Sequence, residues 1–201
     1  MAPTMPDIDG LLARASQLGA SAAATLPAAA LVVEDRFAAL CAAPHRCPSY
    51  GLAPGCPPHA LKPSRFRVLL VEFRQLLVFK IDCPMTALMG PERLAITRRI
   101  HLIAATLETE ALAGGWTMAK GLAAGSCKEL FCPQQAPCVV LDQGLACPHS
   151  DRARPSLSAL GVHFALLAET VGWPYEKIEA PTTTARDEAV MALMAGLVLL
   201  A

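Results

Sequence analysis

The sequence predicts an α/β or α+β sandwich: a small, mostly four-stranded sheet with helices packed on it, interrupted by two irregular cysteine-rich loops. Three observations lead there. Apolar stripes at helical spacing alternate with compact apolar runs. In two windows Pro, Gly and Cys displace all periodicity. Of the 201 residues, 54% are hydrophobic and 17% charged, ample for a core and too apolar for global disorder. Helices alternating with strands pack on a sheet because each must bury one apolar face. This length suits a single domain, 1–201.

Ile8, Leu11, Leu12, Ala15 and Leu18 stripe a first helix with Asp7 as its cap. A short strand is expected at Ala30–Val33. The first cysteine loop follows, at about residues 41–59. Phe66, Leu69, Leu70 and Phe73 mark a second helix after Pro63, and Leu76–Ile81 reads as a buried strand. A third helix begins near Pro91, carries Ile96, Ile100, Ile103, Leu107 and Ala111 on one face, and stops at Gly114–Gly115. Trp116–Ala124 is a further strand leading into the second cysteine loop, at about 127–149. Leu157, Leu160, Phe164, Leu167 and Val171 predict a fourth helix that starts after Pro155 and ends at Gly172. The polar stretch from Pro174 to Glu188 is expected to be a surface connection, and Val190–Leu200 the last apolar element.

Lys+Arg and Asp+Glu both number 17. A neutral chain without basic clusters is expected to bind neither nucleic acid nor an anionic membrane surface. The mean hydropathy is +0.41, yet the longest apolar run, Ala189–Ala201, has 13 residues, short of the roughly 20 a spanning helix needs. Asp7 and Asp9 stand where a signal peptide would carry Lys or Arg. The expected location is the cytoplasm.

Seven of the eight cysteines fall in the two windows. In a reducing compartment, clustered cysteines hold metal or do redox chemistry more often than they form disulfides. Cys127, Cys132, Cys138 and Cys147 are separated by four, five and eight residues, so four thiolates can converge on one centre. Structural zinc favours tight pairs two to four residues apart, and only one interval here qualifies. Iron–sulfur sites commonly place Pro after a ligand cysteine, as Pro133 and Pro148 do. A [4Fe–4S] cluster is the favoured occupant and zinc the alternative. A helix starting at Arg154-Pro155-Ser156 would aim its N-terminal N–H groups at this anionic centre, with Arg152 and Arg154 adding charge.

In the first window Cys41, Cys47 and Cys56 are separated by five and eight residues. His59 or Cys83 is a candidate to complete a set of four. Alternatively, three thiolates leave a metal position open for substrate. His45 and His149 flank ligands, whereas His101 and His163 are expected to be structural. Gly-x-Ser-x-Gly, Gly-x-x-x-x-Gly-Lys, the radical-SAM Cys-x3-Cys-x2-Cys and the ferredoxin Cys-x2-Cys-x2-Cys runs are all absent.

The stretches LGASAAATLPAAALVVEDRFAALC, CPSYGLAPGCPPH, IHLIAATLETEALAGGWTMAKGLAAGSC, CPHSDRARPSLSALGVH and LMAGLVLL follow one another at suitable distances from about Leu18 to the end. With them the chain resembles domain of unknown function 2284, a family of predicted metal-binding proteins. The most specific pieces are Tyr50-Gly51 with Cys56-Pro57-Pro58, and Ala153-Arg154-Pro155-Ser156 after Cys147. The resemblance implies an iron–sulfur or related metal site built from both windows, with Cys41, Cys47, Cys56, Cys127 and Cys147 as its securest positions. The spacing Cys127-x4-Cys132-x5-Cys138 is wider than that of relatives, and Leu40 stands where they often carry a basic residue. Three functions are compatible: electron transfer to a redox partner protein through one or two [4Fe–4S] clusters, catalysis at an incompletely ligated cluster at Cys41, Cys47 and Cys56, or a zinc-stabilised structural module.

Overall fold

Asp7 accepts a hydrogen bond from Gly10 N–H at 2.8 Å and starts α1 (Ile8–Gln17), which buries Leu11 and Ala15. The computed structural model describes residues 7–42, 44, 46–135, 137–175 and 190–201. β1 (Ala22–Pro27) follows, then a 3-10 turn at Ala28–Ala30 and the short α2 (Asp35–Ala39). After the first cysteine loop come α3 (Pro63–Leu70), β2 (Gln75–Pro84), α4 (Met85–Met89) and α5 (Glu92–Ala113). β3 (Ala119–Leu122) leads through α6 (Cys127–Phe131) and α7 (Val139–Gln143) to α8 (Phe164–Thr170) and β4 (Met191–Leu200).

The four strands form one antiparallel sheet in the order β1-β2-β4-β3. β2 and β4 are its centre, paired from Gln75↔Leu200 to Pro84↔Met191. Successive side chains of a strand point to opposite faces, and here both faces are covered. Leu76, Val78, Leu197 and Leu199 pack with Phe66, Leu160 and Leu167 on one side. Leu77, Phe79, Val198 and Leu200 pack with Ile100, Ile103 and Leu107 of α5, and Leu11 of α1, on the other. That is why β2 and β4 read as continuous apolar runs rather than alternating ones.

Four expectations change. The first strand is at Ala22–Pro27 rather than Ala30–Val33; of the latter, only Val33 bridges, to Val162. The fourth helical stripe is broken. Leu157, Leu160 and Leu167 are all buried on one core, but Gly161 at φ +81° splits the stretch into a 3-10 turn (Ser158–Leu160) and α8. No helix therefore opens at Pro155–Ser156, and the predicted helix dipole there is absent. The second cysteine window is not irregular throughout, since it contains α6 and α7. The Pro174–Glu188 connection and His45 lie largely or wholly outside the described residues. Among the described residues, no helix is long and apolar enough to cross a membrane.

Candidate metal centre

Gly125 turns the chain out of β3 at φ +71°, a backbone conformation open to glycine at little cost. Ser126, extended, then caps α6: its hydroxyl accepts from Lys128 N–H at 3.3 Å. Cys127 is thus fixed at the first position of α6. Cys132 ends the same helix and Cys138 precedes α7. Cys147 begins a turn that returns to α5, with Ser150 N–H donating to its carbonyl.

His101 on α5 holds both ends of this window. Its Nδ1 is 3.1 Å from the Arg154 N–H, which can only donate, so Nε2 carries the proton toward the Ala124 carbonyl 3.0 Å away. Burial lowers its pKa to about 4; the Ala124 bond opposes the shift, and the Arg154 charge adds to it. Arg154 itself pairs with Glu108 at 2.7 Å, and Arg152 with Asp151. The two arginines expected to face the thiolates are engaged in ion pairs.

Four cysteines meet around one small cavity of about 20 Å³, lined by Cys127, Cys132, Cys138 and Cys147 together with Lys128, Phe131 and His149. Phe131 is wedged between His101 and His149, with ring centroids 5.7 and 5.8 Å apart, and Arg98 lies over its ring. Burial, and then the nearby Cys56, Cys147, Cys132 and Cys138, push the Cys127 thiol up to about 12. Burial and Cys147 raise Cys132, while Lys128 pulls it back. A thiol raised in this way, as Cys127 is, keeps its proton until a cation takes over the charge.

The first window folds as successive turns: Cys47 N–H donates to the Cys41 carbonyl and Gly51 N–H to that of Pro57. Cys41, Cys47 and Cys56 line a second cavity of about 450 Å³ with Ser126, Glu129 and Ser156. Burial raises Cys41, and Cys47 and Cys56 add to it. Burial also raises Cys56, against the hydrogen bond its thiol makes to Ser126 Oγ at 3.3 Å. That bond brings Cys56 beside the residue that caps α6, next to Cys127. Glu129 of α6 fastens the two windows together, accepting from Ser49 Oγ at 2.8 Å and from Arg93 Nη2 at 3.1 Å. The loop also docks by backbone: Ser156 N–H donates to the Gly55 carbonyl, where an added Cβ would stand 3.0 Å from Pro155 Cα.

Cys83 sits at the end of β2 opposite Ala192 and lines neither cavity. Its thiol is raised by burial and by Asp82. His59 lines a third cavity of about 760 Å³ between the windows, with Arg93, Glu129, Cys138 and Asp142. Neither candidate fourth ligand is placed with Cys41, Cys47 and Cys56. Among the described residues, no three Cys, His, Asp or Glu side chains stand close enough to grip a single ion as they are.

The donor chemistry nonetheless suits a metal–thiolate centre. Lys128 Nζ and His149 Nδ1, both in the wall of the four-cysteine cavity, are buried with no hydrogen-bond partner among the described residues. A buried, unpaired ammonium is costly without an anion beside it. Tetrathiolate metal centres supply that negative charge.

Comparison with known proteins agrees with this chemistry. The model of domain of unknown function 2284, described as a predicted metal-binding protein, matches residues 24–200. The chain belongs to that family. Neither the curated proteins nor the solved structures contain a match. Sequence reasoning identified the cysteines and passed over Ser126, Lys128, Glu129 and the positioning duty of His101. Ser126 and Lys128 flank Cys127 directly, a signal available in the sequence; His101 gives none, since its two partners are 23 and 53 residues away.

Proposed function

We propose that this metal-binding protein is an iron–sulfur electron carrier that serves a redox partner protein. One centre would be held by Cys127, Cys132, Cys138 and Cys147 and a second involves Cys41, Cys47 and Cys56. A bound cluster would supply one-electron chemistry. The observation that carries the reading is the convergence of seven cysteines, from windows some 70 residues apart (Cys56 to Ser126), on two cavities joined through Cys56, Ser126 and Cys127. Two centres linked by the Cys56–Ser126 bond beside Cys127 suit the passage of electrons from one to the other. The chain's own residues would position them: Ser126 caps the helix that Cys127 starts and accepts from the Cys56 thiol, Glu129 ties the windows together, and His101 anchors the second one. Eight free thiols suit the reducing cytoplasm.

Iron, sulfide and zinc per chain, measured after anaerobic purification together with an EPR spectrum of the reduced protein, test the proposal. Iron with matching sulfide and a reduced-cluster signal are expected. A colourless protein carrying one or two zinc ions and no sulfide would overturn it and favour a structural module.

A second reading is favoured by the size of the three-cysteine cavity, about 450 Å³, which leaves room for a substrate beside a centre short of one protein ligand. Small ligands would then perturb the spectrum of one centre only, and Cys83→Ala would leave that centre intact. Loss of the first centre in Cys83→Ala instead indicates complete cysteine ligation and simple electron transfer.

A further inference from the structure

Lys128 is 8% exposed, and among the described residues its ammonium has no hydrogen-bond partner. It stands in the wall that separates the four-cysteine cavity from the 760 Å³ cavity. Its neighbour in sequence, Glu129, accepts from Ser49 and Arg93 and is not hydrogen-bonded to the ammonium. Lys128 lines one cavity with Cys127, Cys132, Cys138 and Cys147. Four arginines near the windows are engaged elsewhere: Arg93 pairs with Glu129, Arg152 with Asp151 and Arg154 with Glu108, while Arg98 donates to the Leu130 carbonyl; Arg46 lies over the Tyr50 ring. The α6 backbone explains how the charge is held in place. Ser126 accepts from Lys128 N–H, so Lys128 is locked into the first turn, one residue from Cys127 and on the same short helix that Cys132 ends.

We propose that the Lys128 ammonium is the built-in counter-cation of the four-cysteine centre and sets that centre's reduction potential above the value its thiolates alone would give. This rests on the reading of an iron–sulfur centre at Cys127, Cys132, Cys138 and Cys147. The electrostatic sense is direct: an added electron makes the centre more negative, and a fixed positive charge in a dry wall stabilises the reduced form more than the oxidised one. Nothing is transferred to or from the lysine, and no bond forms or breaks. Its contribution is positional.

The test compares wild type, Lys128→Met and Lys128→Arg after anaerobic reconstitution with iron and sulfide. Each is titrated with dithionite through mediator dyes, one electron entering per centre, and followed by EPR. The signal of this centre is assigned by its loss in Cys147→Ala. Lys128→Met is expected to weaken reduction at least tenfold, a shift of 59 mV or more for a one-electron couple, while Lys128→Arg stays within threefold of wild type. Equal midpoints in all three, or equal shifts in both variants, would overturn the proposal. Should Lys128→Met fold by circular dichroism but not load, loading of Lys128→Arg supports a charge requirement, and failure of both shows a steric role and overturns it. If wild type takes zinc and no iron, the iron–sulfur reading fails separately. The counter-cation is then read from zinc dissociation constants: at least tenfold weaker binding in Lys128→Met alone supports it, and equal constants overturn it.

Discussion

His101 joins α5 to both ends of the second cysteine window through its two ring nitrogens, and this makes it the clearest pH-sensitive point of the scaffold. Its pKa is about 4 in the fold against an ordinary 6.5. A base whose folded pKa is depressed is neutral in the folded chain and takes up a proton on unfolding. Its contribution is therefore complete above pH 6.5 and is lost as the pH falls from 6.5 towards 4. Over that window the loss amounts to about 3 kcal/mol at most, at 1.36 kcal/mol per unit. Guanidinium unfolding at the two ends of the window should show this slope, and His101→Asn should flatten it by the share His101 supplies. A slope identical in the variant would deny His101 the role.

At the scale of elements, β4 and β3 depend on close fit more than on composition. Leu197 is fully buried among Leu76, Val78 and Phe66, and Leu197→Ala is expected to lower unfolding free energy by about 2–5 kcal/mol, the usual cost of a buried leucine. Gly121 of β3 lies against α5 so closely that a Cβ would meet Glu108 Oε2 at 2.7 Å and the Ala104 carbonyl at 2.9 Å. Gly121→Ala should cost about 1–3 kcal/mol through overpacking and, because Glu108 also pairs with Arg154, should loosen the second window as well. Denaturant midpoints measure the first effect; hydrogen exchange at residues 150–156 measures the second. Intact protection there would limit the damage to the sheet.

Across the whole molecule, two cores sandwich the sheet, and neither takes a side chain from the cysteine windows. The windows are fastened by a few polar contacts, among them Ser49–Glu129, Cys56–Ser126 and Gly55–Ser156. Ligation free energy therefore contributes more to their order than to that of the core. Chelation of the purified protein is expected to remove hydrogen-exchange protection at residues 41–59 and 127–149 first, leaving β2, β4 and α5 protected. Uniform loss of protection would contradict this division.

The sequence by itself determined the long elements and the membership of a predicted metal-binding family. α1, α3 and α5 were legible because each carries its own period and its own start or stop, such as Asp7, Pro63 and Gly114, and β2 and β4 because each holds a compact apolar run. The cysteines were legible because thiols in Pro- and Gly-rich windows are unusual in any other role. Tertiary structure decided what depends on partners distant in sequence. Ala22–Ala24 has little strand propensity, and only pairing with β2 makes it β1. The stripe from Leu157 to Val171 keeps a helical period, yet Gly161 turns left-handed there, its carbonyl accepting from Glu34 N–H at 2.7 Å, and the helix is broken in two. Arg154 turned from thiolates to Glu108 for the same reason. Periodicity records which side chains are buried together; which backbone path buries them, and which charge is left facing the cysteines, follows from contacts between segments far apart in the chain.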